Sequence, residues 1–145
     1  MARIEESVEI KRPVDKVFAY TTDAKSWPKW QSVIPEAEQT SQAPVRVGTT
    51  FKGICRMMGL SMKWTAKATE YEPNRHFGKN ITSAGMTVEQ HNTYDPKEGD
   101  VKFTIVYDMK VRGFFKLFSP MLVSSMRKEL KKSLSNLKSI LEAQT

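Results

Sequence analysis

From residue 101 to 111 apolar and polar side chains alternate. Val101, Phe103, Ile105, Tyr107, Met109 and Val111 share one parity, Lys102, Thr104, Asp108 and Lys110 the other, and Val106 is the one apolar residue out of place. A strand turns successive side chains to opposite faces, so this period predicts a half-buried strand. Residues 61–71 repeat the pattern, with Met62, Trp64, Ala66 and Ala68 facing inward and Lys63, Thr65, Lys67 and Thr69 outward. Residues 3–11 do so again through Ile4, Val8 and Ile10. Over 36–42, 49–58, 75–82 and 87–94 the alternation is diluted. There Gly48, Gly59, Pro73-Asn74, Ala84-Gly85 and the run from Asp95 to Gly99 still cut the chain into strand-sized lengths. Consecutive strands joined by such turns form an antiparallel meander.

The period changes to that of a helix at both ends of this run. After Pro13, the residues Val14, Val17 and Phe18 line one face of a short helix. Thr21-Thr22-Asp23 then offers capping side chains, and residues 23–27 predict a second short helical turn closed by Pro28. Near the C-terminus Val123, Met126, Leu130, Leu134, Leu137 and Leu141 form one stripe, with Arg127, Lys131 and Lys138 opposite. With Ser119 as its cap and Pro120 as a kink or start, this helix is about 23 residues long and spans ~34 Å. That length must pack along the open face of the sheet. Phe114, Phe115, Leu117 and Phe118 add an apolar patch just before it. The fold class that follows is α+β. A curved antiparallel sheet of about six or seven strands wraps around a long C-terminal helix, with two short helices after the first strand, the helix-grip arrangement.

Composition narrows the picture. The chain has 145 residues, which suits one domain over 1–145. It is 39% hydrophobic and 27% charged, an ordinary globular balance that argues against disorder. No run approaches the ~18 apolar residues of a spanning helix. Charges at Arg3, Glu5 and Glu6 occupy the place of a signal's apolar stretch, so a cytoplasmic location is expected. Cys55 is the only cysteine, which rules out an internal disulfide and a Cys-rich zinc cage and leaves it to act as a small hydrophobe. The net charge is +7, and from Gly113 onward six basic residues stand against Glu129 and Glu142. Such a stripe is either a solvated helix face or a surface for transient contact with an anionic membrane. It lacks interleaved aromatics and any nucleic-acid motif, so no nucleic-acid partner is expected; separately, a monomer is expected.

The inventory for catalysis is thin. His76 follows a turn and His91 lies opposite Gln90 and Asn92, in no spacing that suggests a metal pair or a triad. No metal and no cofactor are expected. Gln90 and Asn92 share parity with Met86, Val88 and Tyr94, so they either point inward, where buried amides need partners, or sit at the sheet rim and meet water. Trp27 and Trp30 either gate a pocket mouth or pack the short helices onto the sheet.

Several stretches together resemble a known family. They are residues 10–18 (Ile-Lys-Arg-Pro-Val-Asp-Lys-Val-Phe), Asp23 with Trp27 and Trp30, Val47-Gly48-Thr49, residues 68–73 (Ala-Thr-Glu-Tyr-Glu-Pro) and the ending at residues 134–142. In order and spacing, over nearly the whole chain, they are similar to the START-like, birch-pollen-allergen-like superfamily, and most closely to its SRPBCC branch of polyketide cyclases/dehydrases and lipid transporters. Each motif describes packing or a turn, and none is a catalytic signature. The resemblance implies a deep pocket between sheet and helix that takes lipids, isoprenoids, polyketides or similar apolar molecules. Parity and position then nominate its lining: Phe51, Cys55, Trp64, Ala66, Gln90, Asn92, Phe103, Ile105, Tyr107, Leu122 and Met126. Met57, Met58, Met62, Met86, Met109, Met121 and Met126 supply flexible thioethers to the interior, as adaptable wall or as core filling. Binding and transport of a small apolar ligand is the leading function. The alternative is a cyclase or dehydratase, a lyase or isomerase drawing on Tyr107, Gln90 and Asn92; no inward Asp, Glu or His is evident for acid/base work, and no residue is assigned a catalytic role.

Overall fold

A computed structural model describes residues 2–42, 44–57, 59–83 and 85–144. Met58 and Ala84, named above for the interior and for a turn, lie outside the described residues, as do the side chains of Phe114, Phe115 and Phe118. Seven strands form one antiparallel sheet in the order β1-β7-β6-β5-β4-β3-β2, with β1 Ala2–Ile10, β2 Glu36–Gln39, β3 Thr50–Met57, β4 Leu60–Glu72, β5 His76–Ser83, β6 Met86–Lys97 and β7 Asp100–Val111. Two short helices, α1 (Val14–Thr22) and α2 (Trp27–Trp30), follow β1, and α3 (Ser119–Glu142) runs along the inner face against β1 and α2. This is the helix-grip fold. At 24 residues α3 is the longest element, and no helix is long and apolar enough to cross a membrane.

The expected faces are the observed ones. On β7, Val101, Phe103, Ile105, Tyr107 and Met109 are buried, and on β4 so are Trp64, Ala66 and Ala68. A bulge between Ala68 and Glu70 then shifts the parity of β4. Tyr71 therefore turns inward and meets Phe18 and Phe77 edge to face, with centroids 5.4 and 6.4 Å apart. In α3, Leu122, Leu130, Leu134, Leu137 and Leu141 are buried and Lys131 is exposed.

Other details differ from the sequence expectations. Thr21 and Thr22 do not cap: their hydroxyls donate back to the Val17 and Phe18 carbonyls inside α1, and Asp23 alone caps, accepting from the Lys25 amide. Pro28 does not close a helix; it sits in the first turn of α2, where its missing N–H leaves no bond unmade. Ser119 is already helical, since a 3-10 turn over Gly113–Phe118 runs straight into α3 and leaves no place for a cap. The turn expected over Asp95–Gly99 shrinks to Glu98-Gly99, both at positive φ, because β6 stays paired through Lys97. Met121 and Leu117 are exposed, at 61% and 79%, so neither serves the interior. Lys138 is half-covered, bonding the Glu9 carbonyl at 2.7 Å and the Glu142 carboxylate at 2.6 Å.

Candidate functional site

A cavity of about 70 Å³ lies between the inner face of the sheet, α2 and the early part of α3. Its wall is Trp27, Gln31, Val33, Ile34, Cys55, Trp64, Lys79, Ile81, Met86, Val88, Tyr107 and Met126. Strand parity supplies most of it: Ile81 from β5, Met86 and Val88 from β6 and Tyr107 from β7 all point inward. Trp27 enters from α2, fixed by its indole N–H donating to the Thr21 carbonyl at 2.8 Å. Trp64 reaches its place because residue 53 is glycine: a Cβ there would collide with the Glu36 carbonyl and come within 2.6 Å of Trp64 Cζ2.

Four of the nominated residues, Cys55, Trp64, Tyr107 and Met126, stand on this wall. The other seven are placed elsewhere in the interior. Phe51 packs on Trp27 at 4.9 Å, Phe103 packs on Tyr94 at 4.9 Å, and Ala66 is wedged between Phe51 and Ile81 in the strand register. Ile105 and Leu122 belong to the same packed core. Gln90 and Asn92 do point inward, at 5% and 2% exposure, and they are spent on each other through a 2.9 Å bond from Gln90 Nε2 to Asn92 Oδ1. The cavity lies off the centre of the core, toward the end of the sheet where β6 begins, and parity along a strand does not reveal that.

Sequence reasoning missed Lys79. It sits mid-strand on β5, shares the inward parity of Phe77 and Ile81, and is 5% exposed. Its Nζ lies 3.4 Å from the Trp27 ring centroid, with Phe51, Trp64 and Phe77 at 5.9, 6.0 and 6.0 Å. Ring faces attract an ammonium. Burial nevertheless disfavours the charge and lowers the pKa from 10.5 to about 7. Burial also pushes the Cys55 thiol and the Tyr107 phenol up, so both are neutral at pH 7. The signal for Lys79 was its parity, outweighed by the general rule that lysine faces solvent.

A second, wider hollow at the edge formed by β2 and β3 is bordered by Glu36, Glu38, Lys52 and Lys63 and lies open to solvent. On the outer face of the sheet Glu89, His91 and Asp108 bring their ligand atoms within 4.8 Å of one another, a cross-strand cluster that sequence spacing did not reveal. His91 Nδ1 is also 3.6 Å from Glu70 Oε1, in an exposed pair. Chelation with EDTA is expected to leave the melting temperature unchanged, and so is reduction. A fall on adding EDTA would show that this cluster holds a structural ion.

Known proteins share this fold. An aromatase/cyclase from a Streptomyces species superposes with a TM-score of 0.86 at 12% identity, covering 99% of this chain and 94% of its own. A START superfamily protein from Mycobacterium smegmatis gives 0.81 at 14% identity, with 99% of both chains covered. A protein from Chromobacterium violaceum gives 0.74 at 16%, over 98% and 99%. At these identities the likeness is one of fold. No curated protein matches the chain in sequence. The family described as polyketide cyclase / dehydrase and lipid transport, however, matches residues 1–142. Because that match takes in every strand and the long helix to its last residue, Glu142, the chain belongs to the polyketide cyclase/dehydrase and lipid transport family.

Proposed function

We propose that the chain, acting as a single monomeric domain, binds and transports a small hydrophobic ligand of lipid, isoprenoid or polyketide type in this cavity. The observation that carries the reading is a mostly apolar hollow walled by sheet, short helix and long helix together, at the place where a well-packed core would be filled. Its 70 Å³ is under half the ~150 Å³ of a dry cavity that takes a benzene ring. A ligand of more than a few atoms therefore displaces wall side chains. Met86 and Met126 are suited to that, being unbranched and able to change rotamer at little cost. The carrier reading is preferred to the enzyme one because Gln90 and Asn92, two of the groups offered for chemistry, are bonded to each other away from the wall.

Titration with fatty acids, isoprenoids, quinones and polyphenols, followed by amide and methyl NMR, tests this, together with mass spectrometry of copurified ligand. Saturable shifts are expected at Cys55, Met86, Val88 and Met126 and none at Lys131. Val88→Phe, which fills the wall at roughly 1–3 kcal/mol of overpacking, abolishes them. An interior that no member of the panel perturbs overturns the proposal.

A further inference from the structure

We propose that Lys79 is the anchor of this cavity and that its ligand is an apolar molecule ending in an acidic oxygen, a carboxylate or the enolate of a 1,3-dicarbonyl, seated on the lysine Nζ. This rests on the ligand-binding reading of the cavity and names the chemistry of what enters it.

The first observation is that Lys79 has no hydrogen-bonding or charged partner among the described residues. It is 5% exposed, lines the cavity, and takes part in no hydrogen bond or ion pair among the described residues. Its cross-strand neighbours are Ala68 on β4 and Gln90 on β6. Gln90 donates its own amide to Asn92. Of the acidic groups on nearby strands, Glu70, Glu89 and Asp108 gather on the outer face around His91, and Glu72 and Asp95 are exposed. From α2 the lysine meets the Trp27 ring, and the remaining titratable groups on the wall are Cys55 and Tyr107, both held neutral. An ammonium carries three N–H donors, and ring faces satisfy them only in part.

The second observation is that the other unpaired polar groups nearby include donors too. Trp64 Nε1–H is fully buried with no acceptor. The Tyr107 phenol, held neutral by burial, stands on the same wall. Leaving a buried donor without an acceptor is costly unless a bound molecule brings one. An oxygen anion does so with a charge-assisted bond to the lysine, while its apolar remainder occupies the side of Ile81, Val88 and Met126.

Binding an anion raises the lysine pKa, so the proton must be present. The lysine titrates near pH 7 when the cavity is free. Affinity is therefore full below pH 7 and weakens by about tenfold per unit above it, up to the pKa of the complex.

The test compares octanoate, 1-octanol and 5-pentylcyclohexane-1,3-dione by calorimetry on the full chain, at pH 6.5 and 8.5. Octanoate, the dione enolate or both are expected to bind at least roughly tenfold more tightly than octanol at pH 6.5. The preference should shrink at pH 8.5 and vanish in Lys79→Met, which still binds octanol. Whichever acid is preferred identifies the source of the oxygen. Octanol binding as tightly as both acids, or a preference that survives in Lys79→Met, overturns the anchor and leaves the cavity reading standing. Failure of all three probes to bind overturns both. If Lys79→Met does not fold, the wild-type pH dependence decides, and equal acid affinity at the two pH values overturns the anchor.

Discussion

Lys79→Met is expected to stabilise the folded chain, by ~2–4 kcal/mol at pH 6 and by progressively less toward pH 10. The unfolded lysine keeps its proton up to its ordinary pKa, whereas the folded one releases it near pH 7. Below pH 7 both states are protonated and the folded state bears the full penalty of a desolvated ammonium. Between 7 and 10.5 the unfolded state binds more protons, so wild-type stability rises with pH and the penalty is relieved. Desolvation alone would correspond to ~5 kcal/mol, and the attraction of the ring faces favours the ammonium by about 2, which lessens the penalty and brings the pKa back toward its ordinary value together. Methionine has similar length, needs no proton and keeps contact with the aromatic faces. Cys55 and Tyr107, whose raised pKa values weaken the fold at alkaline pH, titrate in both chains and cancel in the difference. Urea titrations of both chains from pH 6 to 10 check this. A difference that does not vary with pH, or a more stable wild type, would mean that the ammonium is compensated.

Leu134→Ala is expected to destabilise by ~2–5 kcal/mol, and Lys131→Ala by under about 0.5. Leu134 is 2% exposed in the middle of the α3 stripe, and truncating it leaves a cavity between helix and sheet. Lys131 pairs with Glu6 at 3.5 Å, but its side chain is 65% exposed, where screening leaves such a pair little value. Equal shifts of the denaturation midpoint would mean that the faces of α3 are reversed. Lys138 is not an equivalent control, since it bonds a backbone carbonyl and Glu142 together.

Much of this architecture was legible because burial repeats. The period of two in β1, β4 and β7 and the stripe of α3 reflect one wall of the core each, and most of those residues are buried, with Val8, Met62, Val111, Val123 and Met126 partly so. Features that break a period were not legible. The bulge after Ala68 turns Tyr71 inward without any local mark, and Val33 and Ile34 reach the cavity from a loop with no alternation. Gln90 and Asn92 were placed on the correct face, but their mutual bond depends on side-chain geometry that parity leaves open. Lys79 was hidden for a different reason. Its position was readable from Phe77 and Ile81, yet its chemistry argued for the other face, and only the rings of Trp27, Phe51, Trp64 and Phe77 make its burial tolerable.

The pairing of β1 with β7 has a consequence for how the chain acquires this structure. Arg3 and Asp108 meet across 105 residues, and Lys11 and Glu142 across 131. During synthesis β1 thus has no neighbour in this sheet until β7, some hundred residues later, has been made. Hairpins such as β4–β5 and β6–β7 close early over short separations, whereas the loop joining β1 to β7 must form against a large chain entropy. Folding is accordingly slow for a chain of this size, with Ile4 and Ile10 left uncovered until β7 pairs with β1.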